Sequence, residues 1–298
     1  MNFQVWPFRV RLLARDRIVF PPSGAANLLR GAFGAALRRA ACVPDCPGFR
    51  GRSARECERK SCEYARIFEP TAQEPAPSGF RDLPRPFVFR TAHLAGSTIE
   101  AGEAFWFGVN LFEMRRAMAE HFGRAFREIG CAGLGRERAQ AEFTNIEPAD
   151  GAPISICLTT EQNVRRMRVE FLTPTEIKSA GVQSATPNFA SLFARARDRV
   201  STLRALYGAG PLEIDFRALG ERSRAILLTR SEMNHVDMKR RSSRTGQVHG
   251  IGGLVGWAEY EGDLGEFLPY LEAARWTGVG RQCVWGKGEI RPRVILSS

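Results

Sequence analysis

The sequence predicts an α+β protein built from two consecutive units of about 150 residues, each with the element order β-α-β-β-α-β. Three observations predict this class. The chain has 298 residues, which suits two domains of ordinary size, and 44% of them are hydrophobic. The same order of strand and helix patterns also occurs twice along the chain. A composition this apolar excludes a disordered protein.

The first unit begins with a strand and a helix. Apolar residues alternate with polar ones from Val5 to Leu12, as in a strand with one solvated face. Ser23 is the predicted N-cap of a helix whose apolar stripe runs through Leu28, Leu29, Phe33 and Leu37. Three arginines lie outside that stripe: Arg30, Arg38 and Arg39.

The rest of the first unit is interrupted by an insertion. Residues 42–86 are rich in Pro, Gly and Cys and have no periodicity, which predicts an irregular insertion that needs a covalent or metal staple. Regular patterns return with strands at 87–90 and 104–112. A helix at 114–129 and a strand at 139–146 complete the unit.

The second unit repeats the order. We expect a strand at 167–172, a helix at 188–207 and strand material at 212–216 and 225–229. A strand at 253–260, a helix at 264–276 and a strand at 289–296 follow. Residues 1–150 and 151–298 are therefore predicted to form two tandem ferredoxin-like (βαββαβ) domains, the first with the insertion and the second with a glycine-rich loop.

The charge of the chain favours a nucleic-acid partner. Its net charge is +11, and 39 of its 43 basic residues are arginines. The planar guanidinium fork suits phosphates and bases, although a GC-rich genome also enriches arginine. No segment approaches the ~20 apolar residues of a membrane helix, and the first residues carry charges where a signal peptide has an apolar core. We therefore expect a cytoplasmic protein without a membrane partner.

Four of the seven cysteines form one cluster with the spacing C-x3-C-x10-C-x4-C: Cys42, Cys46, Cys57 and Cys62. Two close pairs of thiolates are typical of a structural zinc site, and four thiolates leave no open position for catalysis. Unligated cysteines in a variable loop are the alternative. The odd total argues against a complete disulfide framework and fits a reducing compartment.

Two further segments have the composition of phosphate-binding loops. Lys239, Arg240, Arg241 and Arg244 form a dense basic run followed by His249. Such a run contacts several phosphates or is simply solvated, and His249 or His235 would be the best-placed proton carrier. The glycine-rich segment 280–288 lacks the spacing of a P-loop. It fits a loop that follows a phosphate backbone beside Arg281 and Lys287, or an ordinary glycine turn.

Several segments together resemble the crRNA-maturation endoribonucleases associated with CRISPR, which belong to the repeat-associated mysterious protein (RAMP) superfamily. They are LRGAFGAAL at 29–37, YARIFEP at 64–70, RSSR at 241–244 leading to GGLVG at 252–256, and GVGRQ at 278–282 through GKG at 286–288. The resemblance spans most of the chain. It implies two ferredoxin-like domains, in agreement with the order worked out from periodicity.

The resemblance also implies an activity. The family binds the repeat hairpin of precursor CRISPR RNA and cuts at its base without a metal, through attack of a 2′-hydroxyl on the adjacent phosphate. The mature crRNA can stay bound for assembly with other effector-complex subunits. The candidate catalytic residues are Arg30, Arg38, Arg241, Arg244 and His249. The candidate RNA-binding residues are Arg39, Lys239, Arg240, Arg281, Gln282 and Lys287.

The sequence departs from the family in one respect, because residues 23–41 contain neither His nor Tyr, whereas many members place a His in or beside the first helix. Either a histidine of the second domain carries the proton, or arginines catalyse by electrostatics alone. Two alternatives stay open. One is a non-catalytic RAMP subunit that holds crRNA in an effector complex. The other is a zinc-stapled adaptor that binds nucleic acid nonspecifically.

Overall fold

The computed structural model describes residues 1–42, 46, 62–70, 83–113, 116–130, 133–135, 137–149, 151–160, 162–179, 182–183, 186–241, 248–250 and 252–296. They form two compact units. The N-terminal unit is Val5–Ile154, and the C-terminal unit is Ser155–Ser298 together with Met1–Gln4. None of the helices described is long and apolar enough to cross a bilayer.

The N-terminal unit is an antiparallel sheet with helices. Its elements are β1 (Asn2–Ala14), β2 (Ile18–Val19), α1 (Ala25–Ala41), α2 (Glu63–Phe68), β3 (Phe87–Arg90), β4 (Thr98–Ile99), β5 (Ala104–Leu111), α3 (Arg116–Ile129) and β6 (Ala141–Pro148). The main sheet has the order β3-β5-β1-β6, and β2 pairs with β4. A further short strand, β7 (Ile154–Cys157), pairs with β1.

Aromatic side chains fill the core of this unit. Phe33 on α1 is fully buried and lies at the centre of the cluster. Its ring centroid is between 5.0 and 5.7 Å from those of Phe87, Phe89, Phe122 and Phe126. Rings at such distances add pair energy to the burial of their area. Leu29 and Leu37 are also fully buried, whereas Leu28 is half-buried, so the predicted apolar stripe of the first helix is confirmed at three of its four positions.

The C-terminal unit repeats this plan. Its elements are β8 (Arg166–Thr175), β9 (Lys178–Ser179), β10 (Val182–Gln183), α4 (Phe189–Tyr207), α5 (Phe216–Ser223), β11 (Leu227–Val236), β12 (Lys239–Arg241), β13 (Val248–Gly250), β14 (Gly253–Glu261), α6 (Leu268–Thr277) and β15 (Ile290–Val294). The main sheet has the order β11-β14-β8-β15, and all its pairs are antiparallel. The predicted α+β class is confirmed, and the structure shows that the main sheets are antiparallel.

The core of the C-terminal unit lies between its sheet and the helices α4 and α6. Phe193 packs its ring 4.8 Å from Phe267 and 5.6 Å from Tyr270. Tyr260 on β14 is buried, and its hydroxyl donates a 2.6 Å hydrogen bond to the carbonyl of Pro187. A buried phenol needs such a partner, and this bond ties the central strand to the segment before α4.

Three local predictions are wrong. Gly24, not Ser23, is the N-cap of α1, and no side chain caps the helix. The φ of Gly24 is 116°, in the left-handed region that glycine adopts without strain. Residues 212–215 form no strand, because Asp215 caps α5 and its Oδ1 accepts from the backbone N–H groups of Arg217 and Ala218. The insertion at 42–86 is not wholly irregular, since it contains α2.

Candidate nucleic-acid interface

The side chain of Arg38 on α1 is held by Tyr64 on α2 and by Glu69, the residue that follows α2. Its Nη2 donates a 2.8 Å hydrogen bond to the hydroxyl of Tyr64 and lies 3.6 Å from a carboxylate oxygen of Glu69. The guanidinium also sits 4.9 Å from the centre of the Tyr64 ring. Burial, and then the charge of Glu69, raise the pKa of Tyr64 to about 12, so the phenol stays protonated. Arg38 therefore clamps α2 onto α1 within the N-terminal unit.

Arg30 is buried, although the apolar stripe predicted it outside. It is 7% exposed, and its guanidinium lies 4.4 Å from the centre of the Phe68 ring. Arg85 approaches the same ring at 5.9 Å and donates a 2.7 Å bond to the Phe68 carbonyl. The sequence pattern missed this because α2, which lies in the insertion, covers that side of α1.

The contact of α1 with α2 depends on a glycine. A Cβ on Gly34 would stand 2.2 Å from Cζ of Phe68, closer than any real contact.

The third arginine of α1, Arg39, is exposed and forms a 3.6 Å ion pair with Glu128 of α3. Of the three arginines predicted to point away from the core, Arg39 is the one that is largely exposed.

Three of the four clustered cysteines lie among the described residues. Cys42 follows α1, Cys46 is buried, and the Sγ of Cys62 accepts a hydrogen bond from Ala65 at the start of α2. Burial and the neighbouring thiol of Cys46 raise the pKa of Cys42 to about 12. No group of three or more His, Cys, Asp or Glu in the described ranges is arranged to hold a metal ion. Cys57 lies outside those ranges.

The basic run forms an antiparallel hairpin. Strand β12 pairs with β13 so that Lys239 is opposite Gly250, Arg240 opposite His249 and Arg241 opposite Val248. The backbone thereby brings two predicted catalytic residues and two predicted RNA-binding residues into one hairpin. Arg244 lies outside the described residues. His235, the other candidate proton carrier, is exposed on β11, with its Nδ1 3.4 Å from a carboxylate oxygen of Asp237.

The glycine-rich loop is a tightly folded part of the C-terminal unit. Gly278, Gly280, Gly286 and Gly288 all have positive φ, and the N–H of Val279 bonds to the carbonyl of Gly288 at 2.8 Å. A Cβ on Gly288 would lie 2.0 Å from the Val279 oxygen. These conformations and this close approach require glycine, which is why the segment is so rich in it.

The loop presents its polar residues in different ways. Arg281 is exposed, whereas Gln282 is half-buried with a φ of 64°. Lys287 is 1% exposed, and its Nζ lies 3.3 Å from a carboxylate oxygen of Glu176. Burial lowers the pKa of Lys287, and the charge of Glu176 opposes that shift. Lys287 therefore holds the loop to the end of β8, and Arg281 is the cation that the loop offers to solvent.

Each unit also carries an arginine stacked on a tryptophan in its sheet, which the sequence analysis missed. Arg9 on β1 lies 4.7 Å from the centre of the Trp106 ring on β5, and His93 stacks on that ring at 3.9 Å. Arg168 on β8 lies 4.2 Å from the ring of Trp257 on β14. Aromatic rings and arginines at a protein surface are groups on which the bases of single-stranded nucleic acid stack. The alternation of apolar and polar residues along these strands could have indicated the two pairs, because it places the arginines and tryptophans on the polar face of each sheet.

Comparisons with known proteins cover nearly the whole chain. Residues 3–169 match a family described as an N-terminal domain (AF_1859_N), and residues 169–290 match the family described as CRISPR-associated endoribonuclease Cas6. No curated protein matches the chain.

The structure is similar to solved structures at low sequence identity. The Cas6 (TTHB231) product complex has a TM-score of 0.57 at 15% identity, over 97% of this chain and 99% of that one. Thermus thermophilus Cas6 (TTHB231) has a TM-score of 0.56 at 14% identity, over 98% and 99%. A partial Cas6-RT-Cas1--Cas2 complex has a TM-score of 0.56 at 10% identity, over 98% of this chain and 46% of that one.

Proposed function

Because residues 169–290 match the CRISPR-associated endoribonuclease family Cas6, we propose that the chain binds the repeat hairpin of precursor CRISPR RNA and cleaves it at the base of the stem. The reaction needs no metal in this proposal. The product stays bound and is handed to other CRISPR subunits. The observation that carries the proposal is the match of residues 169–290 to the endoribonuclease family, since this range contains the basic hairpin and the glycine-rich loop.

The fold supports the proposal at a finer level. Each unit has a four-stranded antiparallel order in which the first strand is central and the second and fourth lie at the edges. Two helices of each unit connect strands of its own sheet. Both features are those of a ferredoxin-like domain, and we assign one such domain to each unit.

In the proposed reaction the 2′-hydroxyl attacks the adjacent phosphorus, and the bond from phosphorus to the 5′-oxygen breaks. The products are a 2′,3′-cyclic phosphate and a 5′-hydroxyl, so a proton leaves the attacking oxygen and another reaches the leaving oxygen. His249 carries a proton in this scheme, while Arg241 and Arg244 stabilise the charge of the phosphorane. An imidazole titrates near neutral pH and can serve both steps.

The two arginines of α1 have a more restricted place in the scheme. Arg30 and Arg38 were predicted to contact the reacting phosphate, and that role stays part of the proposal. In the N-terminal unit, however, Arg30 lies against Phe68, and Arg38 is engaged by Tyr64 and Glu69. We therefore assign charge stabilisation first to Arg241 and Arg244, and a supporting role to the pair on α1.

RNA recognition in the proposal depends mainly on phosphate contacts, because side chains cannot read the deep major groove of an A-form stem. Arg39, Lys239, Arg240, Arg281 and Gln282 are the proposed contacts. Lys287 acts through the packing of the glycine-rich loop. The net charge of +11 favours such contacts and makes binding depend on salt.

The test is incubation of the protein with end-labelled repeat RNA in excess EDTA, beside an RNA with a 2′-deoxy substitution at the mapped cleavage site. We expect cleavage at one position in the first RNA and none in the second. Cleavage that persists in the deoxy RNA would exclude 2′-hydroxyl attack, and cleavage abolished by EDTA would exclude a metal-free reaction.

A second function is favoured by one observation. Residues 23–41 contain no histidine or tyrosine, and two of their arginines are bound by protein groups. These facts fit a subunit that holds crRNA without cutting it. Tight and selective hairpin binding without any cleavage would establish that function in place of the first.

A further inference from the structure

A groove lies between α4 and α5 of the C-terminal unit. Its lining includes no residue of the glycine-rich loop or of the basic hairpin. Its volume is about 530 Å³, within the range of sites that hold small ligands. Its lining includes four arginines, one carboxylate and one aromatic ring: Arg195, Arg197, Arg217, Arg224, Glu221 and Phe216. The proposed reaction uses none of these residues.

Arg197 lies in the wall of the groove and contacts both of the helices that form it. This residue is 8% exposed, and its Nη1 donates a 2.8 Å hydrogen bond to the carbonyl of Phe216. Its Nε and Nη2 both donate to Oδ1 of Asp198, at 3.0 and 2.8 Å. The guanidinium lies 4.8 Å from the centre of the Phe216 ring, which is 37% exposed. Arg197 thus fixes the start of α5 to α4 and holds an aromatic surface at the groove.

Two arginines of the lining keep their charge unneutralised within the protein. Arg195 and Arg217 are exposed, and neither side chain forms an ion pair or hydrogen bond with any residue in the described ranges. Arg222 on α5, which does not line the groove, pairs with Glu266 at 2.7 Å. Arg224, just after α5, pairs at 2.6 Å with Glu221, and both of these residues line the groove. The groove therefore holds two guanidinium groups without a partner among the described residues, beside one ion pair.

We propose that this groove binds a segment of RNA backbone, with phosphates on Arg195 and Arg217 and a base or ribose against Phe216. Guanidinium forks bind phosphate oxygens through charge-assisted hydrogen bonds, and an exposed ring offers a stacking surface that accepts every base. An acidic peptide would satisfy the arginines but would leave the aromatic ring without a matched partner. The inference rests on the proposed RNA binding and extends it to a second contact surface.

The test uses the double variant Arg195→Ala/Arg217→Ala in the full chain. A matched control, Arg17→Ala/Arg222→Ala, removes the same charge from exposed arginines that are already paired with Glu100 and Glu266. Binding of the repeat hairpin and of an unstructured oligouridine is measured across a series of salt concentrations. Circular dichroism of both variants establishes that they are folded.

We expect the double variant to bind oligouridine about tenfold more weakly and the control to bind it as the unmodified protein does. The slope of log K against log salt should fall by about 1.4 in the double variant, because each of the two lost contacts to single-stranded phosphate removes about 0.7. Equal affinities and slopes in the two variants would overturn the proposal.

The two probes separate this inference from the proposed function. A protein that binds oligouridine through the groove but neither prefers nor cleaves the hairpin would refute the repeat-specific function and keep the groove. Site-specific cleavage with oligouridine binding equal in both variants would keep the function and refute the groove.

Discussion

Replacing Gly34 with alanine should destabilise the N-terminal unit, whereas the same change at Gly31, one helical turn earlier, should stabilise it. Both glycines lie inside α1, where alanine is favoured over glycine by about 1 kcal/mol. A Cβ at position 31 meets no atom within 4 Å, but a Cβ at position 34 would lie 2.2, 2.7 and 2.8 Å from three carbons of the Phe68 ring.

The magnitude follows from what must move. Phe68 is 8% exposed and is stacked on Tyr64 and Phe87, so its ring cannot withdraw without losing packing. Overpacking of this kind costs about 1–3 kcal/mol. Because both variants gain the same helix propensity, Gly34→Ala should be less stable than Gly31→Ala by about 1–3 kcal/mol.

Urea denaturation of the two variants, followed by circular dichroism, measures this difference directly. A second measurement identifies its cause. Phe68→Leu shortens the side chain that clashes, so the cost of Gly34→Ala should shrink in its presence, as a double-mutant cycle detects. Equal stability of the two alanine variants would refute the packing of α2 on α1, and with it the burial of Arg30 beneath that helix.

Three further predictions concern the loop, the phenol and the thiols. Arg281→Ala should reduce the salt slope of hairpin binding by about 1, while Lys287→Met combined with Glu176→Gln should leave that slope unchanged; the reverse result would place Lys287 on RNA. The raised pKa of Tyr64 means that its contribution to stability is present below pH 10 and is lost as the pH rises towards 12. Tyr64→Phe should therefore reduce the fall in unfolding free energy as the pH rises from 10 towards 12. An unchanged pH profile of the unfolding free energy would contradict the raised pKa of Tyr64. We expect the clustered cysteines to bind one structural zinc, so mass spectrometry should detect one equivalent of zinc in the unmodified protein and none in Cys57→Ser. Clustered thiols that react equally with and without a chelator would exclude this site.

Much of the fold could be predicted from the sequence because its elements carry their own periodicity. The strand from Asn2 to Ala14 and the helix from Phe189 to Tyr207 bury one face each, and their apolar residues recur at the spacing of that face. The end of β11 was harder to predict. That strand runs to Val236 through exposed residues, so its pattern lacks an apolar face, and pairing with β14 forms it instead.

The candidate site likewise combines features that the sequence predicts with contacts that it does not. Chemistry that depends on residue type alone was visible in the sequence: the excess of arginine, the basic run from Lys239 and the glycines around Arg281. Contacts between distant segments were not. The burial of Arg30 depends on α2, which follows it by more than thirty residues, and Lys287 is paired with a glutamate at position 176.

The sequence by itself determined the α+β class, the order of most elements and the basic character of the chain, because hydrophobic period and charge are local properties. Only the tertiary structure decided which cations are exposed and which are buried or paired. Whether an arginine is exposed, paired or stacked depends on the neighbours that folding brings to it. This is why Arg30 and Lys287 are buried, whereas Arg195 and Arg217 face solvent without a partner among the described residues.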